Sequence, residues 1–174
     1  DNIYTAKEIT NVSWYQEYPR QSIEMIKIGN LKKNTQIIDI GSGVSSLLPE
    51  LIKDNFANIT ALDISKQALK IAKMRLGKRS KTINWINSNI LKAKLPSKSF
   101  GLWHDRATMH FLTDKEDINN YKKKVFDALK PKGYIIIMTF AKHSPDKCSG
   151  LPVKKYSIKS LSKEFLSCDL LCGR

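Results

Sequence analysis

The sequence is poor in the features that mark small secreted or membrane proteins. Its three cysteines, Cys148, Cys168 and Cys172, are odd in number and form no CxxC pair. That excludes a disulfide-stapled scaffold and fits a reducing compartment, expected to be the cytoplasm. No apolar run comes near the roughly 18 residues that a bilayer-spanning helix needs. The longest strongly apolar stretch, 134–140, has only strand length. No cationic segment followed by an apolar one opens the chain, which starts at Asp1, so no intact secretory signal is read there. Repeats, low-complexity tracts and linkers are missing too, leaving one domain over 1–174 as the expectation. His104, His110 and His143 stand at no tight metal-ligand spacing with one another or with the cysteines, and no metal site is expected.

Arginine is scarce as well, and that shapes the reading of charge. The chain has 30 Lys+Arg against 16 Asp+Glu, a net charge of +14, but only five of the cations are Arg. A basic balance by itself suggests a phosphate-rich partner. Here the lysines fall in scattered groups, Lys32-Lys33, 122–124 and Lys154-Lys155, whereas a surface that reads RNA interleaves arginine with exposed aromatics. A solvated face is preferred, and nucleic acid is the less favoured partner.

What is present is enough apolar material, 41% of residues, to build a core, arranged as strands alternating with helices. Ile23, Ile26 and Ile28 predict a helix over 21–29 behind a Ser22 cap. Gln36-Ile37-Ile38-Asp39-Ile40 predicts a buried strand that turns through Gly41-Ser42-Gly43 into a helix over 45–54, with Pro49 tolerable in its early turns. Further strands are expected at 58–63, 82–88, 100–104 and 133–140, the last after a Pro131-Lys132-Gly133 turn. One helix follows a Ser65 cap and buries Ala68, Leu69, Ala72 and Leu76, and another spans 115–129. Such alternation implies an α/β fold, a Rossmann-like, doubly wound and mostly parallel sheet. Residues 1–19, with Trp14, Tyr15 and Tyr18, are too aromatic for a solvated tail and are expected to cover the domain or act as a lid. Residues 20–141 form the core, and 142–174 hold a long polar loop, a helix over 157–166 and a strand start at 168–172.

The chemistry is concentrated at the first strand-to-helix turn. Glycines there permit a tight turn and close approach of a ligand to the backbone, and Asp63 ends the next strand 20 residues after Gly43, where a carboxylate can accept from both hydroxyls of a ribose. Together they specify an adenosine-type site. Asp39, just before the glycines, and Ser46, at the position of a third glycine, argue against a dinucleotide, because a carboxylate would face an anionic diphosphate. A ligand carrying an ammonium and a sulfonium tolerates or favours that carboxylate.

At these residues the sequence resembles the class I S-adenosylmethionine-dependent methyltransferases. The matching segments are Ile38-Asp39-Ile40-Gly41-Ser42-Gly43, Leu62-Asp63-Ile64-Ser65, Ser88-Asn89-Ile90 and Leu129-Lys130-Pro131-Lys132-Gly133-Tyr134, in order across about residues 20–141. The resemblance implies S-adenosylmethionine as cofactor and a seven-stranded sheet with a reversed last strand. It assigns Asp39, Gly41, Ser42 and Gly43 to the methionine end, Asp63 to the ribose, Ile64 to the adenine face, and Asn89 with Ile90 to the adenine edge, Trp14 and Tyr15 being lid candidates. Many members carry Asp where Asn89 stands, and an amide oxygen still accepts from the adenine amine.

Ligands of open α/β sheets sit beyond the carboxyl ends of the strands, so residues closing the fourth strand should face the transferable methyl. These are Trp103-His104-Asp105-Arg106-Ala107 and then Met109-His110-Phe111-Leu112. This looks like a signature of a group of small methyltransferases, to which Trp14-Tyr15-Gln16 and Cys148-Ser149-Gly150 are also similar. His104 or His110 is a candidate base and Asp105 a candidate to orient an amine or hydroxyl. The competing readings are packing histidines and an Asp105–Arg106 ion pair that shapes the loop.

The expected function is methyl transfer to a small molecule or a protein side chain, the rivals being a non-catalytic cofactor-binding regulator or subunit, an RNA methyltransferase and an NAD-dependent oxidoreductase. Whether the protein is a monomer or a dimer is left open. Because only Cys168 to Arg174 follow Ser167, too few residues for two further strands at ~3.3 Å per residue, the chain is expected to lack its last strand or to complete its sheet edge with a second copy.

Overall fold

The computed structural model describes residues 18–106 and 108–165. Trp14, Tyr15, Ala107, Cys168 and Cys172 therefore lie outside the described residues. So do the lid proposed for most of 1–19, the strand start at 168–172 and the reversed edge strand that the family resemblance implies.

The described chain runs α1 (Arg20–Ile28), β1 (Gln36–Ile40), α2 (Leu47–Lys53), β2 (Asn58–Asp63), α3 (Lys66–Leu76), β3 (Ile83–Asn87), β4 (Phe100–Arg106), α4 (Lys115–Ala128), β5 (Leu129–Met138), the short β6 (Lys147–Cys148) and β7 (Leu151–Pro152), and α5 (Ile158–Glu164). Strands β1 to β5 form a parallel sheet in the order β3-β2-β1-β4-β5. The order reverses between β1 and β4, the switch point at which such sheets open a crevice. β6 and β7 pair antiparallel as a separate hairpin.

Local chemistry explains most of these elements. β1 and β2 are buried at every position but the first, as parallel strands covered on both faces must be. Ser65 caps α3 by accepting from the Ala68 N–H at 3.1 Å, and Asp114 caps α4 by accepting from the Glu116 N–H. Pro49 is the third residue of α2, where its missing N–H has no intrahelical partner in any case. α4 buries Ile118, Tyr121, Val125 and Ala128, three or four residues apart, so one stripe faces the sheet.

The core lies in two layers. On one face Ile23 and Ile26 of α1, Leu48 and Leu51 of α2 and Leu76 of α3 pack on Ile37, Ile59 and Leu102. On the other, Ile118, Tyr121 and Val125 of α4 and Leu161 of α5 pack on Ile38, Ile40 and Trp103.

Four features differ from the sequence reading. Ser22 is not a cap: α1 begins at Arg20 after Pro19, and Ser22 is buried inside the helix, turned to the sheet. β4 continues to Arg106 instead of ending at His104. β5 starts directly after α4, and Pro131-Lys132-Gly133 forms a bulge within it, Lys132 taking φ +62° while the register to β4 shifts between Phe100 and Leu102. The polar loop after β5 carries the β6–β7 hairpin, turned by Ser149 and Gly150, both with positive φ.

Candidate active site

The β1–α2 turn is built for close approach. Gly41 and Gly43 adopt φ +63° and +50°, a region that a Cβ disfavours. At Gly41 a second constraint comes from the protein itself: a Cβ there would stand 1.9 Å from Thr108 Oγ1, because the segment after β4 lies across the turn and Thr108 Oγ1 donates to the Ile40 carbonyl at 3.3 Å. The Ser42 N–H donates to the Leu62 carbonyl, tying the turn to the end of β2.

There Asp63, buried, accepts from the Gly43 N–H through Oδ2 and from the Ser65 N–H through Oδ1, each at 2.7 Å. Burial raises its pKa, opposed by those two N–H groups. Each carboxylate oxygen retains a lone pair for a further donor. Beside it Ile64 is 69% exposed, an apolar side chain held out at the cavity rim, and Asn87 fixes that segment by donating to the carbonyls of Asp63 and Ile64. Asn89 folds back so that its Oδ1 accepts from the Leu91 N–H at 2.8 Å.

β4 divides the Trp103-His104-Asp105-Arg106 run between the two faces of the sheet, as the period of two requires. Trp103 and Asp105 point to the α4 side. There Trp103 Nε1–H donates to the Tyr121 hydroxyl at 2.9 Å and that hydroxyl donates to Asp105 Oδ2 at 2.5 Å. Asp105 Oδ1 accepts from the backbone N–H groups of Thr108 and Met109. Desolvation pushes the Asp105 carboxyl up to about 6 against these bonds. It braces the segment after β4 from behind and does not line the cavity.

His104 and Arg106 face the other way. His104 Nδ1 lies 2.6 Å from Asp39 Oδ1, and Nε2 lies 3.0 Å from Ser22 Oγ. All three residues are buried and all three line the cavity. Arg106 is half-buried; burial lowers its pKa and the nearby Asp39 charge offsets that shift.

His110, the remaining candidate base, is placed elsewhere. Its ring packs against Phe111 and Phe140 with centroids at 4.3 and 4.6 Å, burial pulls its pKa down to about 4, and it does not line the cavity.

These elements enclose a cavity of about 410 Å³ at the carboxyl ends of the strands, a size typical of small-molecule sites. It brings together Asp39, Gly41, Ser42, Gly43, Asp63, Ile64, Asn89 and Ile90, with His104. Sequence reasoning missed Ser22, Thr108 and Leu151 as cavity residues. Of the run expected to face the methyl, His104, Arg106, Phe111 and Leu112 line the cavity, whereas Trp103, Asp105, Met109 and His110 do not. For Ser22, which meets His104 from 82 residues away, no local signal exists.

A model of the methyltransferase domain matches residues 31–166. EEF1A lysine methyltransferase 2 of Danio rerio is 30% identical over 144 residues, covering 78% of this chain and 62% of that protein, so the chain spans less than two thirds of that relative's length. Among solved structures, Haemonchus contortus phosphoethanolamine N-methyltransferase 2, in complex with phosphomonomethylethanolamine and S-adenosylhomocysteine, superposes with a TM-score of 0.71 at 17% identity over 86% of this chain and 36% of that one. A SAM-dependent methyltransferase from Aquifex aeolicus gives 0.67 at 21% identity over 87% and 80%. At these identities the structural likeness is one of fold. Sequence, sheet order and family match agree: the chain belongs to the class I S-adenosylmethionine-dependent methyltransferases.

Proposed function

We propose that the protein transfers a methyl group from S-adenosylmethionine to a nucleophilic acceptor, as a single domain acting in the cytoplasm. The observation that carries this reading is the pairing, in one cavity, of a buried carboxylate with an open oxygen and a carboxylate at the end of the neighbouring strand. Asp39 Oδ2 and Ser42 Oγ, of two buried residues in the cavity lining, have no hydrogen-bond partner among the described residues, and a native site that leaves such atoms unpaired calls for a polar ligand. Asp63 keeps acceptor capacity for ribose hydroxyls, and exposed Ile64 offers an apolar surface for a base. The residues fit the cofactor: Asp39 and Ser42 hold its amino-acid end, Asp63 its ribose, and Ile64, Asn89 and Ile90 its adenine.

When bound, S-adenosylmethionine supplies a methyl group on an electrophilic sulfonium. The protein's part is then alignment and exclusion of water. With Asp63, Ile64 and Asn89 holding the adenosine end, Phe111, Leu112, Cys148 and Leu151 of the lining would remain for the acceptor. His104, engaged at both nitrogens, and Asp105, on the far face, act as supports. An ammonium acceptor therefore releases its proton to water before it is aligned.

Two acceptor classes fit, a small molecule and a protein side chain, and the identity to a lysine methyltransferase favours a protein lysine. Titration calorimetry should show micromolar-scale binding of S-adenosylmethionine and S-adenosylhomocysteine and none of NAD. Labelled methyl from S-adenosylmethionine should appear in the small-molecule or protein fraction of a lysate. NAD binding in their place refutes the proposal, cofactor binding without transfer makes the protein a binding subunit, and label in RNA moves the acceptor to nucleic acid.

A further inference from the structure

Three buried aspartates stand near the carboxyl ends of β1, β2 and β4, and they divide by how their oxygens are used. Asp63 and Asp105 each engage both oxygens with protein donors. Asp39 differs: Oδ1 is held by His104 Nδ1 at 2.6 Å, while Oδ2 has no partner among the described residues. A carboxylate only accepts, so the proton in that contact sits on Nδ1. The imidazole is gripped from its other side by Ser22 Oγ, 3.0 Å from Nε2, and Ser22 in turn lies 4.0 Å from Met138 Sδ. The chain Ser22–His104–Asp39 thus joins α1, β4 and β1, with every side chain buried and all three residues in the cavity lining. Rotation of the Asp39 carboxylate would break the His104 bond, and rotation of the imidazole would break the Ser22 bond.

We propose that His104, held by Ser22, is a positioning residue that keeps Asp39 Oδ2 turned into the cavity and so selects adenosyl ligands that carry an ammonium group. The inference rests on the methyltransferase reading and deepens it at one end of the ligand. An ammonium supplies the donor that Oδ2 lacks, and Asp63, which also acts electrostatically on Asp39, adds negative charge nearby. Arg106, the cation facing Asp39, opposes this and sharpens the need for a fixed carboxylate orientation.

The test compares S-adenosylhomocysteine with its desamino analogue, which keeps the adenosine and the carboxylate but lacks the ammonium. Calorimetry on the full chain is expected to give at least tenfold weaker binding of S-adenosylhomocysteine by His104→Phe, which keeps a ring and removes both nitrogens, with less than a twofold change for the analogue. His104→Asn, whose amide can donate from near the Nδ1 position, should recover most of the loss, and Ser22→Ala should show a several-fold loss with the same ligand dependence. A merely structural role would weaken both ligands together. Equal losses for the two ligands, or no loss in His104→Phe and Ser22→Ala, overturn the inference alone. A wild-type protein that binds neither ligand overturns the cofactor reading and this inference with it.

Discussion

Asp63 serves two ends at once, which makes its substitution informative. Its carboxylate closes the Gly43 and Ser65 N–H groups, and the proposed ribose contacts use the lone pairs that remain. Asp63→Ala should weaken S-adenosylmethionine and S-adenosylhomocysteine alike by roughly 1.5–3 kcal/mol, the scale for hydrogen bonds to a charged group. Calorimetry checks the affinity, and denaturant unfolding should show a parallel stability loss from the orphaned N–H groups. Gly41 offers a sharper case, because its need for glycine has two separable causes. Gly41→Ala meets Thr108 Oγ1 at 1.9 Å and also carries φ +63°. The left-handed backbone alone costs roughly 1–2 kcal/mol. Adding Thr108→Ala should return the steric part in unfolding experiments and leave that remainder, whereas no rescue would show that Thr108 is not what excludes a side chain.

At the scale of elements, β4 is the hinge between site and scaffold. Its odd residues Trp103 and Asp105 lock onto Tyr121 of α4, where the two aromatic rings meet edge to face at 5.8 Å, and its even residues His104 and Arg106 look into the cavity. Tyr121→Phe should therefore cost about 1–3 kcal/mol by leaving the Trp103 N–H and Asp105 Oδ2 unpaired, read as a shift in denaturant midpoint. The pH dependence follows from Asp105, whose carboxyl is raised from 3.8 to about 6 in the folded protein. The folded state then binds this proton more tightly than the unfolded chain, so the group's contribution falls as pH rises from about 4 to about 6 and is level above. Asp105→Asn removes that slope. Between pH 4.5 and 7 the wild type should lose about 2 kcal/mol more stability than the variant, and parallel profiles would show that Asp105 titrates normally.

For the whole molecule, the +14 charge sits on lysines that are partly spoken for. Lys122 pairs with Glu164, Lys155 with Asp146, Lys98 and Lys124 reach backbone carbonyls, and Lys33 and Lys73 lie over Phe56 and Trp85. Retention on RNA is expected only at low salt and should vanish by about 0.2 M without sequence preference, since counterion release makes such binding steeply salt-dependent. A ligand that binds only the folded state at a hundred times its dissociation constant adds about 2.7 kcal/mol. S-adenosylhomocysteine at that excess should raise the melting temperature by roughly 5–10 °C for a chain of this length, and a flat melting curve would contradict a preformed site.

The sequence by itself determined the alternation of strands and helices, the bounds of β1 and β2, the Ser65 cap and the glycine turn facing Asp63, because each rests on neighbours within a few residues or on one βαβ unit. It marked His104, Asp105 and His110 as chemically interesting without sorting them. Sorting them required knowing that β4 runs to Arg106, which sets the face each side chain takes, and that Tyr121 and Ser22 stand behind Asp105 and His104 from 16 and 82 residues away. The same holds for Thr108 against Gly41, 67 residues apart in the chain. Periodicity and capping are local, whereas the partner that turns a buried acid into a brace or a histidine into a support is chosen by packing across the sheet, and only the tertiary structure decided it.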